Sequence, residues 1–431
     1  MITKLILYAH VLFIILLTGC SSTKHQLKGL YYDPPGSTIT TNKKITPQYK
    51  RTITSSSSEV SASNEFAGAR LNDFYRENDS TYTAFFEPEN APVNNSAWYS
   101  FKIWCGKEQT AYVNLKYKDG SHRYFPKISY DGKNWARLDS SLYTGDTAIG
   151  SAMLKLKLNK DTLWISGQEL MTSGNYEDWI KKILVKPFVK KNIIGHSPLG
   201  KPINELEITE AEGNSDYIIL TGRQHPPEVT GAIALREFVE TIAGDSETAK
   251  NFRKKFKVYV IPLMNPDGVD AGNWRHNIHG VDLNRDWYYF NQPETRAVRD
   301  EMMKLKNIPG GRLVWFIDFH STQKDVFYIS KKDSPGDNSI SGEKRLLHDE
   351  AYSRIKEWFA NVGKDFPDYY VNIDESLNNP NSPTSDTWTY NQFDCPALTY
   401  EMGDEDNRGQ IRRIASGAAI ELMKLLLEKN E

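Results

Sequence analysis

Near residue 186 the hydrophobic period of the chain changes, and that change restricts it to two units of different architecture. Upstream, apolar and polar residues alternate: Ala111, Val113, Leu115 and Tyr117 against Tyr112, Asn114 and Lys116, then Leu154, Leu156 and Leu158 against Lys155 and Lys157. A period of two puts successive side chains on opposite faces, so these segments read as strands with one buried and one wet face. Asp119-Gly120 and Asp131-Gly132 are hairpin turn signals between such strands, and Trp98, Trp104, Trp135 and Trp164 supply core bulk. Residues 59–186 are therefore predicted to form a small antiparallel β-sandwich. Downstream, the runs Tyr217–Leu220, Val258–Leu263 and Leu313–Phe319 are apolar without interruption. A strand of that kind is buried on both faces, which predicts a mixed, mostly parallel sheet flanked by helices. Ala232, Leu235, Phe238, Val239 and Ile242 fall on one helical stripe, and Ile411, Ile414, Ala418 and Met423 on another, while Pro293 stands at a helix first turn. Residues 187–431 are thus expected to be an α/β unit.

The N-terminus reads as an address. Lys4 precedes an apolar run from Leu5 to Leu17, broken only by His10, and then Leu17-Thr18-Gly19-Cys20. The run is shorter than the ~20 residues a spanning helix needs and has the length of a signal-peptide core. The four-residue box resembles a bacterial lipoprotein signal, which implies removal of residues 1–19, lipidation of Cys20, and a protein held on a membrane of the cell envelope, facing periplasm or exterior. Residues 20–58, rich in Ser, Thr, Lys and Pro, are too polar to bury a core and are expected to be a flexible tether.

Composition narrows the chemistry. Fifty-three Lys and Arg against 55 Asp and Glu give a net charge of −2. No basic block accompanies them, so there is no electrostatic footprint for nucleic acid. No G-x-G-x-x-G or G-x-x-x-x-G-K-S/T element is present to cradle a nucleotide phosphate. Three Cys cannot build a Cys-rich metal site, and Cys105 and Cys395 fall in different units, so both are expected as buried free thiols. Any metal centre must use some of the nine His together with carboxylates.

In open α/β sheets ligands collect beyond the carboxyl ends of the strands. The apolar run ending at Leu220 leads into His225-Pro226-Pro227-Glu228, just ahead of a helix, and the run ending at Phe319 leads directly to His320. Two His and one Glu form a zinc set that leaves a fourth position open.

These motifs carry a family resemblance. His225-Pro226-Pro227-Glu228, Asn265-Pro266-Asp267-Gly268, Asn273-Trp274-Arg275, Gly280 to Trp287, Asp318-Phe319-His320-Ser321 and Leu398-Thr399-Tyr400-Glu401 stand in the order found in M14 zinc carboxypeptidases, as does the opening segment Ile194 to Ile203. In the sandwich, Phe66 to Asn72, Trp98 to Phe101 and Ser129 to Trp135 resemble the β-domain of the cytosolic-carboxypeptidase-like branch. The resemblance implies one Zn²⁺ per chain on His225, Glu228 and His320. It implies Glu401 as general base, Arg275 as oxyanion donor, and Asn284 with Arg285 as the clamp on a substrate's terminal carboxylate. Counting back from Glu401, Asp386 falls at the floor of the side-chain pocket, where an acid selects a basic terminal residue, diaminopimelate of peptidoglycan included. The family's mobile Tyr aligns with Asn379, so Tyr369 or Tyr370 would have to substitute; Ser321-Thr322 after His320 departs from the cytosolic branch. The expected partner is a peptide or peptidoglycan stem. The alternatives are a zinc-dependent N-acyl amino acid amidohydrolase and an inactive binding lipoprotein.

Overall fold

The computed structural model describes residues 36–55, 59–94, 97–146, 150–213, 215–331, 341–376 and 382–428. The signal segment and Cys20 lie outside these residues. Among them no helix is long and apolar enough to cross a membrane.

The first unit is two stacked sheets. One has six strands, in the order Thr52–Thr54, Val60–Ser63, Ser100–Cys105, Leu163–Ser166, Lys127–Ser129 and Ala136–Arg137; the other has five, Asp73–Arg76, Thr81–Phe86, Gln109–Tyr117, Ser151–Leu158 and Tyr143–Asp146. The alternation read from sequence sorts as expected: Val113, Leu115, Leu154 and Leu156 are buried, while Lys155 and Lys157 are exposed. One pairing departs from the antiparallel expectation, because Thr81–Phe86 runs parallel to Gln109–Tyr117. Between those strands the chain passes through Ser100–Cys105 in the opposite sheet, and a crossover of that length lets it return in the same direction.

The expected tether is a second correction. Thr52–Thr54 is an edge strand on Val60–Ser63. Ahead of it, the backbone N–H of Lys43 donates to the His279 carbonyl at 2.9 Å, Gln292 Nε2 donates to the Thr40 carbonyl at 2.7 Å, and Gln48 Nε2 donates to the Ala69 carbonyl at 2.8 Å. Residues 36–54 are ordered by hydrogen bonds to other segments, which an argument from apolar burial does not register.

The second unit starts earlier than residue 187. The helix Ser173–Ile183 buries Tyr176, Trp179, Ile180 and Ile183 in its core, and Trp179 Nε1 donates to Glu240 Oε1 at 2.7 Å. The sheet has eight strands, in the order Val189–His196, Pro202–Ile208, Lys257–Ile261, Tyr217–Gly222, Leu313–Thr322, Ala397–Gly403, Val326–Ser330 and Ile373–Ser376. The four from Lys257–Ile261 to Ala397–Gly403 are mutually parallel. The unbroken apolar runs are explained by two cores. Ile218, Leu220, Val258, Val260 and Ile317 face the layer containing Val229–Ile242 and Arg408–Glu428, whereas Tyr217, Ile219, Tyr259, Ile261 and Phe316 face the layer containing Pro293–Lys306 and Tyr390. The parallel register sets Gly222 beside Phe319 and His320 beside Glu401, so the chemically active residues meet at one end of the central strands.

Candidate metal centre and substrate clamp

His225 and Glu228 enter the site on the tight passage from the strand Tyr217–Gly222 to the helix Val229–Ile242. Arg223 has a left-handed φ of 55°, two prolines follow His225, and Glu228 is the residue before the helix. The helix must then run close to the neighbouring strand. A Cβ on Gly231 would lie 2.2 Å from the His320 carbonyl oxygen, so only glycine permits the approach.

The three side chains converge. His225 Nδ1 is 2.8 Å from Glu228 Oε1, His320 Nδ1 is 2.7 Å from Glu228 Oε2, and the two Nδ1 atoms are 3.2 Å apart. One ligand atom from each lies within 4.8 Å of the others, and all three residues are buried. Behind them, His225 Nε2 meets Asp282 Oδ1 at 2.9 Å and His320 Nε2 meets Asp318 Oδ2 at 2.8 Å. Burial favours the neutral form of each Asp, but the charges facing them outweigh it and hold both below the usual carboxylate range: Arg275 and His225 at Asp282, His320 at Asp318. Ionised acids accept, so the Nε2 atoms carry the protons and the Nδ1 lone pairs point at Glu228. Three Lewis bases crowd into a space that only a proton or a cation can neutralise, and the two-His, one-Glu set is that of an open zinc site.

Asp282 and Asp318 occur inside the motifs, but their motifs alone do not mark them as partners of the two imidazoles. The available signal at Asp318 was spacing, since residues i and i+2 of a strand share a face and Asp318 precedes His320 by two. Asp318 also accepts from Thr221 Oγ1 at 2.8 Å and from Gln224 Nε2 and Ser385 Oγ. Asp282 joins two parts of the site. Its Oδ2 accepts from Arg275 Nε at 2.6 Å, and its Oδ1 caps the 3₁₀ turn Leu283–Arg285 by accepting from the Asn284 N–H at 2.9 Å. Asn284 Oδ1 accepts from the Ser385 N–H at 2.9 Å, which leaves its NH₂ as the end free to donate. Arg285 Nη1 donates to the Asn284 carbonyl at 2.8 Å.

Glu401 stands across from His320 on the adjacent strand. Its Oε2 is buried and has no hydrogen-bond partner among the described residues. Burial, then the charge of Glu228, pushes its carboxyl up to about 8, against the opposing pull of His320, Arg123 and Arg275. Asp386 is buried at the first turn of the helix Ser385–Phe393 and accepts from Thr384 Oγ1 at 2.5 Å. Burial raises its pKa. Asn379 lies outside the described residues; of the two proposed substitutes Tyr369 is buried and Tyr370 is 82% exposed. His276 pairs with Asn90 Oδ1 at 2.7 Å and serves the loop. Cys105 and Cys395 are both buried and are not joined to each other.

Residues 176–418 match the zinc carboxypeptidase family Peptidase_M14. Cytosolic carboxypeptidase 6 of Caenorhabditis elegans is 24% identical over 266 residues, 56% of this chain and 58% of that protein. Cytosolic carboxypeptidase 2 of Danio rerio is 26% identical over 269 residues, 54% of this chain and 37% of that protein. The matched region thus spans at most about three-fifths of these two relatives. The metallo-carboxypeptidase of Burkholderia cenocepacia superimposes with a TM-score of 0.69 at 18% identity, covering 85% of this chain and 98% of that one. The metallo-carboxypeptidase of Pseudomonas aeruginosa, solved with (2-guanidinoethylmercapto)succinic acid, gives 0.68 at 19% identity, covering 85% and 99%. At these identities the structural likeness is one of fold, and it extends over both units. The family match covers more than half of the chain and contains the whole His225, Glu228 and His320 cluster: the chain belongs to the M14 zinc carboxypeptidases.

Proposed function

We propose that this chain removes C-terminal residues from peptides, peptidoglycan stem peptides among them. The observation that carries the reading is the pairing of the open His225, Glu228 and His320 set with a buried, unpartnered Glu401 oxygen across the adjacent strand. Zinc held by those three side chains would act as a Lewis acid and bring the pKa of a water to ~7. Glu401 takes the proton of the attacking water at its carboxylate and returns it to the leaving amine. Arg275, held by Asp282, donates to the negative charge that develops on the carbonyl oxygen. The Asn284 NH₂ and the Arg285 guanidinium bind the terminal carboxylate, a pairing suited to planar two-point recognition. That clamp makes the activity an exopeptidase one. A peptide with a free C-terminus is expected to be cleaved at least ~100-fold faster than its C-terminal amide, since the clamp would lose its ionic partner. Equal rates would overturn the reading.

Asp386 neighbours Ser385, which touches Asn284, so its charge would bear on the terminal side chain. Peptides ending in Lys or diaminopimelate are expected to be preferred over those ending in Glu or Phe; better cleavage of Glu or Phe ends the idea. We also propose that Cys20 anchors the protein in the envelope. Replacing it by Ala should move the protein from the membrane to the soluble fraction, and an unchanged distribution would exclude the anchor.

A further inference from the structure

We propose that Glu89, in the β-sandwich, is a positioning residue for Arg275, so that the first unit is a working part of the active site rather than an appended module. The inference rests on the reading of Arg275 as the donor to the developing oxyanion. Glu89 follows the strand Thr81–Phe86, and its side chain is 2% exposed. Its Oε2 accepts from the Trp274 N–H at 2.8 Å, and its Oε1 accepts from the Arg275 N–H at 3.1 Å and the His276 N–H at 2.7 Å. Three successive backbone donors on one carboxylate form an anion nest, and here the anion comes from the other unit.

The grip on this loop is wider than one residue. Arg70 Nε donates to the Gly272 carbonyl at 2.7 Å and Arg70 Nη2 to Asn273 Oδ1 at 2.8 Å, while Arg70 Nη2 also stands 4.0 Å from Glu89 Oε2. Asn90 Nδ2 donates to the Gly280 carbonyl at 3.0 Å. Trp274, fully buried, belongs to the sandwich core and meets Tyr117 edge-on. The loop from Gly272 to Gly280 is therefore fastened on the sandwich, and its Arg275 side chain leaves that anchorage toward the zinc set.

From there the path is short. Arg275 Nε reaches Asp282 Oδ2, and Asp282 Oδ1 reaches His225 Nε2. A carboxylate enclosed between two units costs more desolvation than an apolar contact of the same size, so adhesion alone does not account for it. Fixing the backbone on both sides of Arg275 does account for it, because an oxyanion donor works only when held in place beforehand.

The test is a double-mutant cycle on the full chain, using Glu89→Gln, Arg275→Ala and the pair, with zinc content, melting temperature, kcat and KM read on one peptide. Gln keeps the shape of Glu89 but turns an NH₂ toward at least one N–H of the nest. We expect zinc to remain at one per chain, KM to stay within about twofold and kcat to fall about tenfold in Glu89→Gln. In the Arg275→Ala background the same change should cost less than about twofold, since its effect runs through the missing guanidinium. Wild-type kcat in Glu89→Gln, or an equal further loss in the Arg275→Ala background, overturns the inference alone. A wild type without carboxypeptidase activity overturns the peptidase reading and this inference with it, whereas a fully active Arg275→Ala removes Arg275 as the oxyanion donor and overturns this inference while the peptidase reading stands. Should Glu89→Gln fail to fold, Glu89→Asp is put through the same cycle with the same criteria. It retains the charge but is too short to reach all three donors.

Discussion

Glu401→Gln is expected to lower kcat by about 10³-fold while leaving one zinc per chain and an unchanged fold. Gln has the shape of Glu and occupies the same strand. The oxygen altered has no hydrogen-bond partner among the described residues, so the substitution breaks no hydrogen bond to them there. What it removes is the capacity to accept a proton. The pH dependence follows from the same environment. Burial and the Glu228 charge raise the Glu401 carboxyl to about 8 in the metal-free protein, and a bound cation pulls it back down. A raised carboxyl stays protonated to higher pH, so the base is blocked on the acid side and freed as pH rises. The acid limb of kcat/KM in the zinc enzyme should therefore lie below about 8 and disappear from the residual activity of the variant. Stability carries the matching sign. The fold holds this proton more tightly than the unfolded chain does, so its contribution is full below the unfolded value and is lost as pH rises toward about 8. Metal-free Glu401→Gln should then gain melting temperature over the metal-free wild type at pH 8 and little at pH 4. Wild-type hydrolysis by the variant would remove Glu401 from the mechanism.

What the sequence made legible is what local patterning and short spacing encode. Alternation placed Leu154 and Leu156 inside and Lys155 outside, and unbroken runs such as Tyr217–Leu220 marked strands packed on both faces. His225 and Glu228 lie three residues apart on one turn, and His320 ends an apolar strand, so the cluster is legible from spacing alone. The rest depends on contacts between segments far apart in the chain. Thr40 and Lys43 look like linker residues until Gln292 and His279 are brought against them. Nothing around Glu89 distinguishes it from a surface acid, because its three partners are about 185 residues away. The parallel pairing of Thr81–Phe86 arises from the path taken through the opposite sheet, which the strand's own residues do not encode.

Removing the metal should abolish hydrolysis, and one equivalent of zinc should restore it. The donor set predicts how the metal-free protein behaves. With the two acids holding the Nε2 protons, His225 Nδ1, His320 Nδ1 and Glu228 face one another, and the space between them must carry positive charge. Burial opposes a charged imidazole, but Asp318 and Glu228 on either side outweigh that and raise the His320 pKa well above its ordinary value. In the absence of zinc His320 therefore holds an extra proton near neutral pH, and zinc must displace it. Zinc uptake is expected to release about one proton per ion, with affinity that weakens as pH falls. Titration calorimetry in buffers of different ionisation enthalpy reads that number directly. His320→Ala removes a ligand and should lose both zinc and activity. Asp318→Asn keeps all three ligands but no longer fixes the Nε2 proton on His320, and should weaken zinc binding about 10–100-fold while retaining activity at saturating metal. Full activity in a chelated, zinc-free preparation would exclude metal chemistry at this site, and zinc uptake without proton release would exclude the charged His320.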